Sequence, residues 1–74
     1  MPRLPSLNSW EVIRVLGKVG FEQVRQKGSH VFMRHPDGRT TLIPVRQGRD
    51  IDRSLLRKII RDMDITRDEF MDLL

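Results

Sequence analysis

A turn sequence, Pro36-Asp37-Gly38, separates two runs of strand-forming residues and constrains the fold more than any other feature of the chain. In such a turn proline presets φ and glycine accepts positive φ, so the backbone can reverse within a few residues. We predict an antiparallel hairpin whose strands cover residues 30–34 and 40–45. Pro44 has no N–H to donate, which places it at an edge of the sheet or at the end of the pairing.

A third strand is predicted at residues 21–26, directly before the hairpin. It begins at Phe21 and continues mainly with polar residues, a pattern that indicates an edge position or a largely solvated face. Gly28 then marks the turn into the first hairpin strand, since glycine adopts turn conformations at little steric cost. The three strands together predict one antiparallel sheet.

Two longer helices are predicted, one before the strands and one after them. The first begins at Asn8 or Ser9, where Glu11 completes a near capping-box arrangement. It ends at Gly20, which has the position of a C′ glycine. The second covers residues 50–63, and its apolar stripe consists of Ile51, Leu55, Leu56, Ile59, Ile60 and Met63. A membrane-surface or partner helix is the alternative, but this stripe favours an amphipathic core helix.

The two ends of the chain carry opposite signals. Thr66-Arg67-Asp68-Glu69 is a capping box, which predicts a short third helix carrying Phe70. At the other end, Pro2 and Pro5 predict that residues 1–7 form an extended, loose arm.

These elements predict an α+β fold with the order helix, three strands, helix and short helix. At 74 residues the chain has room for one core between two layers, so we expect a single domain over residues 1–74. Because the sheet is antiparallel, both longer helices can cover one face and leave the other free for a ligand or partner.

Several classes of protein are excluded by composition. The chain has no cysteine, which rules out disulfides and thiolate metal sites and fits a reducing, cytoplasmic setting. No apolar run approaches the roughly 20 residues that a membrane span needs. His30 and His35 lack both the spacing of a helical zinc pair and obvious carboxylate companions, so we expect no metal and no cofactor.

The net charge of +4 is unevenly distributed along the chain. Residues 25–61 hold ten basic and three acidic side chains, a local balance of +7, whereas the residues after Arg61 are mainly acidic. A basic excess of this kind is typical of phosphate binding and favours nucleic acid as a partner. The alternative is a solvated surface that only keeps a small domain soluble.

The candidate for chemistry is His30, which follows Lys27, Gly28 and Ser29 at the start of the first hairpin strand. Imidazole has an unperturbed pKa of about 6.5, so a single exposed histidine can act as acid or base near neutral pH. The basic residues around it favour an anionic substrate. A histidine at a strand end is also often a solvated polar residue without chemistry, and the residues alone leave both interpretations open.

The element order and several short motifs resemble the HicA (YcfA-like) toxin family. The motifs are Lys27-Gly28-Ser29-His30, His35-Pro36-Asp37-Gly38-Arg39, Ile43-Pro44 and Leu55-Leu56-Arg57-Lys58-Ile59-Ile60, and the likeness runs from the first helix to Phe70. It implies a fold similar to the double-stranded-RNA-binding domain and a toxin that cleaves mRNA under restraint by a HicB-type antitoxin. It also implies that His30 is catalytic. Members often carry histidine where this chain has Arg46, which can hold phosphate but cannot exchange protons near neutral pH.

RNA carries its own nucleophile, the 2′-OH, so cleavage requires proton transfer and charge stabilisation but no metal. We expect His30 to take the 2′-OH proton. The expected RNA contacts come from Lys27, Gly28, Ser29, Arg34 and Arg46, which offer cations and hydrogen-bond donors. A non-catalytic RNA-binding module and a protein-interaction domain are the alternatives.

The second histidine, His35, is predicted to act separately from His30. Five residues along one strand correspond to roughly 16 Å, and an odd spacing turns the two side chains to opposite faces of the sheet. We therefore expect His35 to make a structural hydrogen bond at the hairpin turn. Phe32 shares the face of His30, where it either packs or stacks on a base.

Overall fold

The hairpin around Pro36-Asp37-Gly38 is present as the second and third strands of a three-stranded sheet. The structure is a computed structural model that describes residues 4–74. In chain order its elements are α1 (Ser9–Lys18), β1 (Glu22–Lys27), β2 (His30–Arg34), β3 (Thr40–Pro44), α2 (Arg53–Met63) and α3 (Arg67–Asp72). The α+β fold predicted from the sequence, with its α-β-β-β-α order and short C-terminal helix, is confirmed.

The strands are antiparallel in the order β1-β2-β3, so β1 is an edge strand, and all of its residues are exposed; both predicted alternatives are therefore met. The strand begins and ends one residue later than predicted. β2 and β3 pair without interruption from His30 opposite Pro44 to Arg34 opposite Thr40. The register of β1 against β2 shifts at a bulge between Gln23 and Arg25. β3 ends at Pro44, one residue earlier than predicted, although the Val45 N–H still donates to the Ser29 carbonyl in the turn before β2.

The two faces of the sheet differ in burial. Val31, Met33, Thr41 and Ile43 are buried against the helices, with Val31 and Ile43 completely inaccessible. The alternate residues of β2 and β3 lie on the opposite face and are exposed or half-buried. Contacts of both α1 and α2 with β3 confirm that the longer helices cover one face and leave the other open.

Helix α1 begins where the sequence predicted. The Asn8 side chain accepts a hydrogen bond from the Glu11 backbone N–H at 3.0 Å, and its amide donates to the Glu11 carboxylate at 3.0 Å. The Ser9 hydroxyl donates to the Pro44 carbonyl at 2.6 Å, which attaches the start of α1 to the end of β3. Gly20 follows the helix with φ of +104°, a conformation that favours glycine.

The predicted loose arm is wrong for residues 4–7, while residues 1–3 lie outside the described part of the chain. Leu4 and Leu7 are only 5% exposed and belong to the hydrophobic core. The Ile51 N–H donates to the Leu7 carbonyl at 2.7 Å, and the Arg53 guanidinium donates to the Leu4 carbonyl at 3.2 Å. Burial of these two leucines outweighs the tendency of a proline-containing terminus to stay extended in solvent.

The same contacts explain why α2 starts at Arg53 and not at residue 50. Asp50 forms a bridge with Asn8, and the Ile51 N–H is already bonded to Leu7. Asp52 therefore becomes the N-cap, and its carboxylate accepts from the Ser54 N–H at 3.1 Å. The apolar stripe nevertheless faces the core as predicted, with Leu56, Ile59, Ile60 and Met63 buried and Leu55 half-buried.

The predicted capping box of α3 is confirmed. Thr66 and Glu69 exchange hydrogen bonds, each side chain accepting from the backbone N–H of the other at 3.1 and 3.0 Å. This cap positions Phe70, which is completely buried in the core. Within residues 4–74, no helix is both long and apolar enough to cross a membrane.

Candidate functional site

An open hollow of about 570 Å³ lies on the uncovered face of the sheet, at the end where β1 turns into β2. Its lining residues are Arg25, Lys27, Gly28, Ser29, His30, Phe32 and Leu42. Four of the six residues predicted from the sequence to act on RNA are therefore together: Lys27, Gly28, Ser29 and His30.

The turn that forms the end of this hollow requires Gly28. Lys27 pairs with His30 across the strands, so only Gly28 and Ser29 connect β1 to β2. Gly28 has φ of +59°, in the left-handed region, and a Cβ built there would meet no atom within 4 Å. Glycine is therefore needed for its backbone conformation and not for space.

His30 lies exposed at the start of β2, between the two neighbouring strands. Its partner on β1 is Lys27 and its partner on β3 is Pro44. Side chains directly opposite each other in an antiparallel pair have Cβ atoms about 5 Å apart, so the Lys27 ammonium can reach an anion bound beside the imidazole. Across residues 4–74 no group of three histidine, aspartate or glutamate side chains lies close enough together to hold a metal ion.

Two lining residues, Arg25 and Leu42, were not predicted. Each pairs with Phe32 from a neighbouring strand. The Arg25 guanidinium lies 5.8 Å from the centre of the Phe32 ring, within the range of a cation–π contact. Leu42 is 44% exposed on the same face, and strand alternation from the buried Thr41 and Ile43 was the signal that could have placed it there. The prediction that Phe32 shares the face of His30 is confirmed.

Arg34 and Arg46 do not line this hollow. Arg34 is on the same face but at the far end of β2, beside Glu22 and His35. Arg46 lies in the loop after β3, where it lines a different hollow together with Trp10. The structure thus places both arginines beside the candidate site and not within it.

His35 occupies a closed environment behind the hairpin turn. Its ring meets Phe21 edge-on, with centroids 5.3 Å apart and planes at 68°. The Asp37 N–H donates to His35 Nδ1 at 3.1 Å, which assigns the ring proton of the neutral form to Nε2. The 3.0 Å separation between Nδ1 and Asp37 Oδ1 becomes an ion pair only when the ring is protonated. The predicted structural hydrogen bond is confirmed.

The Asp37 carboxylate is held in place by the same turn. It accepts from the Arg39 backbone N–H at 3.0 Å and from the Arg39 guanidinium at 2.8 Å. The backbone hydrogen bond, followed by the guanidinium, lowers the pKa of Asp37 below its ordinary value. The Arg39 guanidinium also donates to the Met63 carbonyl at the end of α2, so the turn is tied to the helix layer.

Comparison with known protein families identifies the family of the chain. The family model for the HicA toxin of bacterial toxin–antitoxin systems matches residues 10–65. The chain therefore belongs to the HicA toxin family, and membership implies an antitoxin as its partner. A search of curated proteins found no match.

Proposed function

We propose that this toxin is a metal-independent endoribonuclease that cleaves mRNA, with His30 as its catalytic acid–base group. The observation that carries the proposal is the exposed position of His30 on the open sheet face, beside Lys27 and in the same hollow as Arg25. An imidazole surrounded by cations suits a substrate that is anionic and must lose a proton.

The reaction proceeds by attack of the ribose 2′-oxygen on the adjacent phosphorus. His30 takes the 2′-OH proton, the new O–P bond forms, and the bond from phosphorus to the 5′-oxygen breaks. A second group or water gives that oxygen its proton. Lys27 offsets the negative charge that develops on the phosphate, and the Ser29 hydroxyl and the N–H groups of the turn donate hydrogen bonds to it.

The rest of the open face binds RNA without taking part in proton transfer. Arg25 and Phe32 form a pair that offers a cation to a phosphate and a half-buried ring to a base. Arg34 and Arg46 extend the basic surface beyond the two ends of the hollow. Because the chain is rich in cations and poor in aromatic residues, phosphate contacts dominate binding, and affinity falls steeply with salt.

The competing functions are an RNA-binding module without catalysis and a pure protein-interaction domain. His30→Ala separates them from a nuclease. We expect this variant to lose cleavage by roughly a hundred- to ten-thousand-fold while keeping its fold and its affinity for RNA. Wild-type protein that binds RNA without cutting it would instead favour the binding module, and absence of RNA binding would favour the interaction domain.

The ends of the products test the chemical route. Attack by the 2′-oxygen leaves a 2′,3′-cyclic phosphate on one fragment and a free 5′-hydroxyl on the other. Cleavage should persist in EDTA, since a 2′-OH nucleophile needs no metal to activate it. Products with 5′-phosphates, or complete loss of activity in EDTA, would contradict this route.

We further propose that a HicB-type antitoxin inhibits the toxin by covering the hollow with an acidic surface. Opposite charge steers such a partner to the basic face, and occlusion of His30 is enough to stop cleavage. Modification of histidines by a carbethoxylating reagent, read by mass spectrometry, measures the exposure of each ring. His30 should be protected in the inhibited complex, and an inhibited complex with His30 as reactive as in the free toxin would contradict occlusion.

A further inference from the structure

Trp10 is the exposed exception among the aromatic residues. It is the single tryptophan of the chain and is 55% exposed, whereas Phe21 and Phe70 are at most 3% exposed. Tryptophan gains more from burial than almost any other side chain, so half of an indole left in solvent forgoes a large stabilisation. The proposed cleavage mechanism gives this side chain no role.

The surroundings of Trp10 favour an anionic ligand with a flat apolar part. The indole lines a hollow with Val45, Arg46 and Gln47, and Arg46 is the charged residue of that lining. The nearby Glu11 carboxylate already accepts from Asn8 within the helix cap. In the adjoining hollow Arg46 and Arg49 are accompanied by Asp50 and Asp52, whereas in the hollow that contains the indole Arg46 has no carboxylate beside it among the lining residues.

Trp10 is also connected to the His30 hollow by a short path through the fold. His30 pairs with Pro44, and the Pro44 carbonyl accepts from Ser9, the residue before Trp10. These links hold the Cα atoms of His30 and Trp10 within about 17 Å of each other. The Val45 N–H donates to the carbonyl of Ser29, the residue before His30. Arg46 follows Val45 in the chain and lines the hollow that contains Trp10, so it lies between the two sites.

We propose that Trp10 is a second RNA subsite, where the indole stacks on a base of the strand whose phosphate is held at His30. Arg46 binds the intervening backbone, which gives this arginine a role outside the catalytic hollow. Stacking on an exposed aromatic ring accepts any base, so the subsite adds affinity and fixes the direction of the strand more than it reads sequence. The inference rests on the proposed function and adds a second site of RNA contact to it.

The indole itself provides the test, since the chain has one tryptophan and no tyrosine and its emission therefore reports residue 10 alone. In the His30→Ala background, which prevents cleavage, we expect single-stranded RNA of about eight nucleotides to quench this emission. A dinucleotide, which is too short to bridge the two hollows, should bind without quenching.

Affinity measurements supply the matched controls. Trp10→Ala should weaken binding of the longer RNA about tenfold and leave dinucleotide binding unchanged. Trp10→Phe should retain most of the affinity, because it keeps a ring. Leu74→Ala truncates another exposed apolar side chain, 44% exposed near the C-terminus, and should have no effect.

The outcomes distinguish this inference from the proposed function. If wild-type protein cleaves RNA but Trp10→Ala binds long and short RNA as well as the parent does, the subsite is refuted and the nuclease stands. If Trp10→Ala weakens only the complex with the antitoxin, the indole is a protein contact and the RNA subsite is wrong. If wild-type protein neither binds nor cleaves RNA, both proposals fail.

Discussion

The two histidines flank β2, His30 as its first residue and His35 directly after its last, and they show how different surroundings give one residue type different roles. His30 is exposed on the open face, next to Lys27 and in a hollow that a ligand can enter. His35 is largely enclosed, with its ring against Phe21 and its Nδ1 occupied by the Asp37 N–H. The first ring is available for proton transfer to a substrate, whereas the second is committed to the hairpin turn.

The difference between His30 and His35 shows that two residues close in sequence need not act in the same reaction. The residues differ by five positions, so strand alternation directs their side chains to opposite faces of the sheet. A pair of histidines that exchange protons with one phosphate must lie on one face and within a few ångströms of it. This geometry is the reason why we propose His30, and not a pair of histidines, as the catalytic group.

The largest effect on stability is expected from crowding the His35 ring. Gly20 has φ of +104°, and a Cβ there would lie 2.9 Å from His35 Nε2. Gly20→Ala therefore combines backbone strain of roughly 1–3 kcal/mol with a steric clash. Gly38→Ala is the matched control, because Gly38 has φ of +100° but open space around its Cβ position.

Denaturant unfolding gives the free energy of unfolding of the two alanine variants, and the difference between the two values is the cost of the clash. Gly20→Ala should be less stable than Gly38→Ala by about 1 kcal/mol or more. The double variant Gly20→Ala/His35→Ala should lose less than the sum of its single changes, since removing the ring removes the clash. Equal losses for the two glycines, with full additivity in the double variant, would show that His35 is not packed as described.

A smaller loss is expected from His35→Ala. The change removes the edge-to-face contact with Phe21 and the acceptor for the Asp37 N–H, together about 1–2 kcal/mol. His35→Phe keeps a ring against Phe21 but not the acceptor, so it should fall between the wild type and the alanine variant. A His35→Ala variant as stable as the wild type would contradict the structural role of His35.

The smallest effect concerns the charge of Asp37 beside His35. Because the Arg39 N–H lowers the pKa of Asp37, the folded state favours the carboxylate. Its contribution to stability is therefore present at neutral pH and is lost as pH falls below about 4 and through the lowered pKa. Asp37→Ser should be slightly less stable than wild type at pH 7, and the difference should shrink in acid. A difference that stays constant with pH would contradict the charge effect.

Much of the fold, and the face on which His30 lies, could be predicted from the sequence because the patterns that indicate them are local. The hairpin turn, the cap at Asn8 and the capping box at Thr66 each depend on residues within four positions of one another. Alternation along β2 was enough to put Phe32 with His30 and to separate His35. The predictions that failed concern contacts between distant segments.

Those failures have two physical causes. Leu7 and Ile51 are hydrogen-bonded although more than forty residues separate them in the chain. This contact orders residues 4–7 and shifts the start of α2 to Arg53, and no local sequence pattern predicts it. The bulge between Gln23 and Arg25 changes the register of β1, so the place of Arg25 beside Phe32 could not be counted from strand alternation alone.

The most direct test of the central claim is the RNA cleavage rate of His30→Ala and His35→Ala, measured side by side per folded molecule. Circular dichroism at the assay temperature gives the folded fraction for each variant. We predict that His30→Ala loses cleavage by at least a hundredfold while His35→Ala retains nearly the wild-type rate. Equal losses in two equally well-folded variants would contradict the division of roles between the two histidines.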